Sequence, residues 1–347
     1  MKSSSERKLI RTLNGEVMSP PPFWFMRQAG RYLPEYRKIR QTAKNFLDFC
    51  YTPDLAVEVT LQPLRRLQAD AAIMFSDILV IPDALGQNVA FKEGEGPVLD
   101  PIRDVQAVKA LDIERLHDHL APVYEILGRL RKEIPDETAL IGFAGAPWTI
   151  AIYMVEGRGG TECGRARTWA YQDPDGFGQL IDLLVDSISS YLIRQVESGA
   201  EVLQLFDSWA GVLSETQFRR WVIEPNRQIV ERVKAVYPDI PIIGFPRNAG
   251  ELYRDFVEQT GVDGVSLDHT VSLGWAKEQL QPLCALQGNL DNHLLLAGGD
   301  VMEDGVKELL TMFADGPFIF NLGHGILPST PPENVEKVAE IIRNWNP

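Results

Sequence analysis

Apolar residues in this chain fall into short runs, and the longer stretches between those runs carry helical periodicity. The runs 22–26, 71–75, 139–143, 201–206, 241–245, 264–267, 283–287 and 317–321 are short and continuously apolar, which suits strands buried on both faces. The intervening stretches 53–67, 116–133, 176–198, 215–236, 250–260 and 301–313 read as helices. Eight strands alternating with helices predict an α/β fold, a single-domain (β/α)8 TIM barrel, with an open α/β sheet as the alternative. Residues 1–15 read as an N-terminal leader with a short helix, and 16–347 as the barrel.

A barrel of this kind carries its chemistry just beyond the C-terminal ends of its strands. The residues at those positions are Arg27, Ser76 and Asp77, Asp207 and Ser208, Arg247, Asp268 and His269, Gly288 and Asn289, and Gly323 and His324. Two longer excursions interrupt the alternation. Residues 77–105 include Glu93-Gly94-Glu95-Gly96-Pro97 and predict a hairpin or loop. Residues 155–167 hold Gly157, Gly159, Gly160 and Gly164 with Arg158, Arg165 and Arg167, and predict a mobile cover.

Charge changes this picture at one place. The net charge is −14 and the pI near 4.9, which argues against non-specific binding to nucleic acid or to an anionic membrane surface. Yet Arg27, Arg31, Arg37, Lys38, Arg40 and Lys44 follow the first apolar run with only Glu35 among them. If the chain turns helical after that run, Arg27 and Arg31 share a face. Two guanidiniums in one cleft repel unless an anion lies between them, and the guanidinium fork suits carboxylates. The local inversion therefore points to an anionic ligand; a structural ion-pair network is the alternative.

Asp77 lies between two apolar runs, where an ionised carboxylate needs donors; it can stabilise a cation there, or merely cap a loop. Gly142 to Pro147 bring small residues to a strand end, where a large ligand can approach the backbone, and Tyr153 offers a phenol from the next helix or simply packs. His324, between Gly323 and Gly325, is poorly placed for core packing and suits a functional role. His117 and His119 read as a solvated helix face. Cys50, Cys163 and Cys284 lack the spacing of a zinc or redox site, and the odd count suits a reducing, cytoplasmic compartment. No run reaches the roughly 18 apolar residues of a membrane span. No Walker, GxSxG, HExxH or strand-following GxGxxG sequence is present, and nothing demands a metal, nicotinamide, flavin or pyridoxal cofactor.

The stretch Pro22-Phe23-Trp24-Phe25-Met26-Arg27-Gln28-Ala29-Gly30-Arg31 resembles the N-terminal signature of the uroporphyrinogen decarboxylase family, and Ile141 to Gly157 resembles a second signature. Leu61 to Arg66, Phe75 to Leu79, Leu205 to Ser208, Leu286 to Asp291 and Asn321 to Gly325 are similar in the same order. The resemblance implies a cofactor-free cytoplasmic carboxy-lyase, usually a homodimer, acting in haem biosynthesis on a cyclic tetrapyrrole with four acetates and four propionates. The expected reaction converts the four acetates of uroporphyrinogen III to methyls, giving coproporphyrinogen III and four CO2. By matching position, Arg27, Gln28, Ala29, Gly30 and Arg31 are expected to form the loop that meets substrate carboxylates, Asp77 to face the pyrrole N–H groups, and Tyr153, Ser208 and His324 to touch substrate. Arg27, Arg31 and Asp77 are the expected catalytic residues. Asn292 stands where the family commonly has proline, and His269 where tryptophan is common.

Overall fold

The computed structural model describes residues 6–92, 96–159 and 162–346. Nine strands form among them: β1 (Ala71–Ile73), β2 (Val89–Lys92), β3 (Gly96–Leu99), β4 (Ala139–Gly145), β5 (Val202–Asp207), β6 (Ile242–Pro246), β7 (Gly264–Ser266), β8 (Ala285–Leu290) and β9 (Phe318–Leu322). Seven pair in parallel in the order β1-β4-β5-β6-β7-β8-β9. Every residue of β4, β6, β8 and β9 is buried, as strands covered on both faces require.

The remaining gap is closed by the first apolar run. Phe23 bridges Phe320 of β9 in parallel, the Phe320 N–H donates to Pro22 O at 2.9 Å, and on the other side Asp70 N donates to Phe23 O at 3.0 Å. The run thus holds the eighth barrel position through a single bridge rather than a full strand. Its start is Pro20-Pro21-Pro22, three residues without an N–H, and a turn at Arg27 ends it. β8 begins two residues after the sequence pattern suggests, because Leu283 N and Cys284 N both donate to Leu280 O and hold that segment in a turn.

Prolines also break two expected helices. Residues 116–133 form Leu116–His119 and Ala121–Glu133, split just before Pro122. Residues 215–236 form Glu215–Phe218, a π turn at Arg219–Ile223, and Glu224–Val236, the widened turn lying next to Pro225, which has no N–H to donate. The helix Pro53–Leu67 forms as expected, with proline at its start. His117 and His119 are not on a solvated face: both are half-buried, His117 bonded to Tyr124 Oη and Ser190 Oγ and His119 to Asp83 at 2.7 Å.

The first excursion contains the antiparallel pair β2 and β3; residues 93–95 of its expected turn lie outside the described residues. The second is tied at both ends. Arg158 bridges Val98, and Glu156 accepts from the N–H groups of Arg165 (2.9 Å) and Ala166 (3.0 Å). Inside the barrel, Gln287 donates to Gln204 and Ser266 and accepts from the Trp24 indole, so its amide links three barrel elements in one layer. At the opposite end from the expected site residues, the helix Lys8–Leu13 buries Leu9, Ile10 and Leu13.

Candidate active site

The loop after the first run is held by its own side chains. Met26 N donates to Asn321 Oδ1 at 3.0 Å, and Gln28 ties Phe25 N to Ala71 O through its amide. Gln28 is therefore buried and committed internally, with its N–H donating to Phe25 O. Arg27 adopts a left-handed conformation, φ 62°, and no helix begins until Pro34–Arg40. The helical spacing expected for Arg27 and Arg31 is thus replaced by a tight turn. Gly30 permits it, since a Cβ there would lie 2.7 Å from Arg27 O. Ala29 and Gly30 are half-buried within this turn. Arg37 donates to the Arg31 and Tyr32 carbonyls, so that cation fastens the loop.

Arg27 then crosses the mouth beneath the last strand's loop. A Cβ on Gly325 would sit 2.4 Å from Arg27 Cδ, so glycine is what lets the side chain pass. The guanidinium is reached by solvent yet ringed by protein; burial first, and then the charge of Arg31, lower its pKa. Neither arginine forms an ion pair among the described residues.

Asp77 faces this pair from the loop after β1. Burial pushes its pKa up to about 6, partly offset by the Leu79 N–H at 2.9 Å and by the positive charge of Arg27. It has no cationic partner within ion-pair distance among the described residues. Tyr153, on the helix Pro147–Glu156, has its phenol pKa raised chiefly by burial, with the Trp209 indole beside its hydroxyl and Asp77 and Arg27 acting on it electrostatically. Gly159 lies against the ring, where a Cβ would approach to 2.8 Å.

Ser208 directly follows β5 and is half-buried. The strand end that presents it is clamped by Thr149, whose hydroxyl donates to Asp207 Oδ1 at 2.6 Å and accepts from Trp209 N at 3.1 Å. Asp207 is fully buried beside Asn226, and burial without a counterion pushes its pKa up to about 7.

His324 sits on the other wall. Burial first, then Arg27, Arg247 and His269, push its pKa down to about 3, so the ring is neutral at ordinary pH; its Nδ1 is buried without a partner. Both departures from the family pattern touch its loop. Asn292 Nδ2 donates to Gly325 O at 2.9 Å, and the backbone of His269 lies where a Gly323 Cβ would be, 2.3 Å from His269 N. Arg247 and Asp207 are legible as strand-end residues but carry no sequence signal of a role; their convergence on the site appears only in three dimensions.

Arg27, Arg31, Asp77, Tyr153, Ser208 and His324 thus come to one end of the barrel, with Arg247 joining them. A cleft of about 1380 Å³ lies outside the mouth among Arg103, Asp104, Arg158, Arg165, Trp169 and Asp173. None of the expected site residues lines it, and its arginines share it with the carboxylates of Asp104, Glu156, Glu162 and Asp173. The barrel mouth is the better candidate because Arg27, Arg31, Asp77, Tyr153 and His324 converge there and act on one another electrostatically. Among the described residues no group of three or more His, Cys, Asp or Glu side chains is arranged to hold a metal ion.

Known proteins resemble this chain over almost its whole length. The family described as Uroporphyrinogen decarboxylase (URO-D) matches residues 4–345. A protein of Rhodospirillum rubrum named uroporphyrinogen decarboxylase is 55% identical over 341 residues, 98% of each chain. One of Mesorhizobium japonicum with the same name is 53% identical over 97% of this chain and 98% of its own. Among solved structures, a methyltransferase from Methanosarcina mazei covers 99% of both chains with a TM-score of 0.78 at 18% identity. A B12-independent methionine synthase from Shewanella sp. covers 84% of this chain and 87% of its own, with a TM-score of 0.56 at 11% identity. At such identities the structural likeness is one of fold alone, and the sequence relationship decides the family. The chain belongs to the uroporphyrinogen decarboxylase family.

Proposed function

We propose that this protein is a carboxy-lyase that removes CO2 from the four acetate side chains of uroporphyrinogen III, leaving methyls and giving coproporphyrinogen III. The observation that carries the reading is the unpaired charge at the mouth: Arg27 and Arg31 without carboxylate partners, facing Asp77 without a cation. A tetrapyrrole with up to eight carboxylates around its rim and N–H groups at its centre complements both. Each arginine–carboxylate contact contributes roughly 1.5–3 kcal/mol.

Each acetate loses CO2 once its pyrrole is protonated on a ring carbon. The carbon–carbon bonding pair then flows into the cationic ring, the resulting methylene takes up a proton, and the ring gives its extra proton back. The balance is one proton consumed for each carboxylate replaced by hydrogen. Asp77, as carboxylate, accepts pyrrole N–H bonds and stabilises the cationic ring in a site where burial strengthens fixed charge. Neutral His324, Tyr153 and Ser208 act as hydrogen-bonding contacts that set the orientation of the macrocycle, with Arg27 and Arg31 on its carboxylates and the backbone of Gln28, Ala29 and Gly30 shaping their loop. Residues 16–347 form the catalytic domain, and the enzyme works in the cytoplasm as a homodimer.

The test is an anaerobic assay of purified protein with uroporphyrinogen III and no added cofactor, scored by CO2 release and by coproporphyrinogen formed. Binding without CO2 release would replace the reading with that of a tetrapyrrole-binding protein. Sedimentation at micromolar concentration checks the dimer.

A further inference from the structure

Arg247, the first residue after β6, has a place in the mouth that the site residues above do not account for. Its backbone is fixed from three directions. Its N–H donates to Asp207 O at 3.1 Å and Phe245 O at 3.0 Å, and Gly211 N donates to its carbonyl at 3.1 Å. The next residue, Asn248, is held left-handed at φ 60°, its N–H donating to Asp268 at 2.7 Å. Gly211 has no room for a side chain here, since a Cβ would lie 2.4 Å from Asn248 O.

The side chain, by contrast, has nothing to hold. Its Nε is buried without a hydrogen-bond partner, and no ion pair includes it among the described residues. Asp268 is the nearby acid with lone pairs to offer, but these are taken by Asn248 N, Tyr253 Oη, Thr270 N and Thr270 Oγ1, and a carboxylate offers about four acceptor sites. Meanwhile Arg247 acts as a positive charge on both Arg27 and His324. A rigidly mounted guanidinium with no ion pair among the described residues, acting on a second such arginine, Arg27, is destabilising in the free protein. It becomes favourable when a carboxylate enters between them.

We propose that Arg247 is a third carboxylate-binding arginine of the mouth, taking one acid side chain of the bound macrocycle alongside Arg27 and Arg31. This rests on the tetrapyrrole reading given above. It also follows that the loop 207–212, which fixes both Ser208 and the Arg247 backbone, sets the spacing between a hydroxyl contact and a carboxylate contact.

The experiment uses full-length Arg247→Met and Arg247→Lys with two readouts. One is the Kd for uroporphyrin III, the air-stable oxidised macrocycle with the same eight carboxylates, followed by tryptophan quenching; the other is the thermal midpoint of the free protein. Arg247→Met should weaken binding roughly ten- to a hundredfold, with KM for uroporphyrinogen rising in step, and Arg247→Lys should recover part of the loss. The thermal midpoint should stay level or rise, which loss of a structural residue would not produce. Wild-type Kd and KM in Arg247→Met, or a lowered midpoint with an unchanged Kd, overturns the proposal while the parent reading stands. A wild-type protein that neither binds uroporphyrin nor releases CO2 removes both.

Discussion

The two ends of the barrel treat charge in opposite ways. At the N-terminal ends of the strands, among the described residues, deeply placed charges meet opposite charges. Buried Arg7 meets Glu201 at 2.6 Å, Arg131 meets the other oxygen of Glu201, and Lys234 meets Asp263 at 2.7 Å. The backbone joins in: Leu140 N donates to Glu201, Ile242 N to Asp263 and Phe23 N to Asp70. At the C-terminal ends, among the described residues, Arg27, Arg31, Arg247 and Asp77 form no ion pair, and His324 Nδ1 is buried without a hydrogen-bond partner. The same residue types serve both ends, so composition does not explain the difference. At one end the ion pairs are already formed in the free protein, whereas at the other the charges stand open to a ligand.

The largest effect expected from this contrast falls on Asp77→Asn. If Asp77 faces the pyrrole N–H groups as proposed, losing its carboxylate should lower turnover by about 10²–10³-fold, measured in the anaerobic assay. Stability should move the other way. The folded pKa of Asp77, about 6, exceeds its ordinary value of 3.8, so the folded protein holds the proton more tightly than the unfolded chain. Ionising Asp77 therefore destabilises the fold, fully above about pH 6 and not at all well below 4. The asparagine variant avoids that cost. It should be more stable than wild type at pH 8, by on the order of 1–3 kcal/mol given partial access to water, with the advantage vanishing near pH 4. A variant that is both less active and less stable at pH 8 would place Asp77 among the structural charges.

Glu201→Ala is the converse at the other end. It leaves Arg7 and Arg131 facing each other without their shared carboxylate, and should cost about 3–5 kcal/mol in denaturant unfolding. The KM of the folded fraction should not move. A raised KM at matched stability would show that the two ends are coupled.

Much of this asymmetry was readable along the chain, because it follows from where strands end. The uniformly apolar runs located the barrel, and Asp77, Ser208 and His324 followed as the residues just past them. What periodicity could not give was the path of the chain between arginines. A four-residue spacing reads as one helical face, but Arg27 lies at φ 62°, a conformation fixed by Asn321, Gln28 and Gly30 together and therefore by contacts far apart in sequence. Gln28 illustrates the same limit: it sits inside the signature, yet its amide is turned inward to Phe25 and Ala71. Arg247 stayed obscure because an arginine past a strand is unremarkable until its neighbours are seen to be engaged elsewhere.

Gly325→Ala tests the packing that aims Arg27. The added methyl meets Arg27 Cδ at 2.4 Å, so the side chain must leave its track across the mouth. KM should rise roughly tenfold, on the scale of one weakened charged hydrogen bond, with less effect on the thermal midpoint than on binding. Since the colliding group is a flexible side chain rather than backbone, the fold has room to adjust; an unchanged KM would mean that Arg27 reaches the ligand by another route.

The smallest change is expected in the acid limb of kcat/KM, and it decides which wall of the mouth carries the titrating group. If substrate needs Asp77 ionised, kcat/KM should fall as pH drops through about 6, the value burial imposes on that carboxyl. His324 is already neutral there, its own pKa lying near 3 because burial and the cations Arg27 and Arg247 oppose a further charge. His324→Gln should therefore leave the limb where it is, even if KM changes through a lost contact. Asp207, pushed up to about 7 by burial, is the competing source, and Asp207→Asn separates the two. A limb that survives this substitution near pH 6 belongs to Asp77. If it shifts or disappears instead, the clamp between Thr149 and the end of β5 governs the pH response, and the unpaired acid at the mouth is not the group whose ionisation switches the enzyme on.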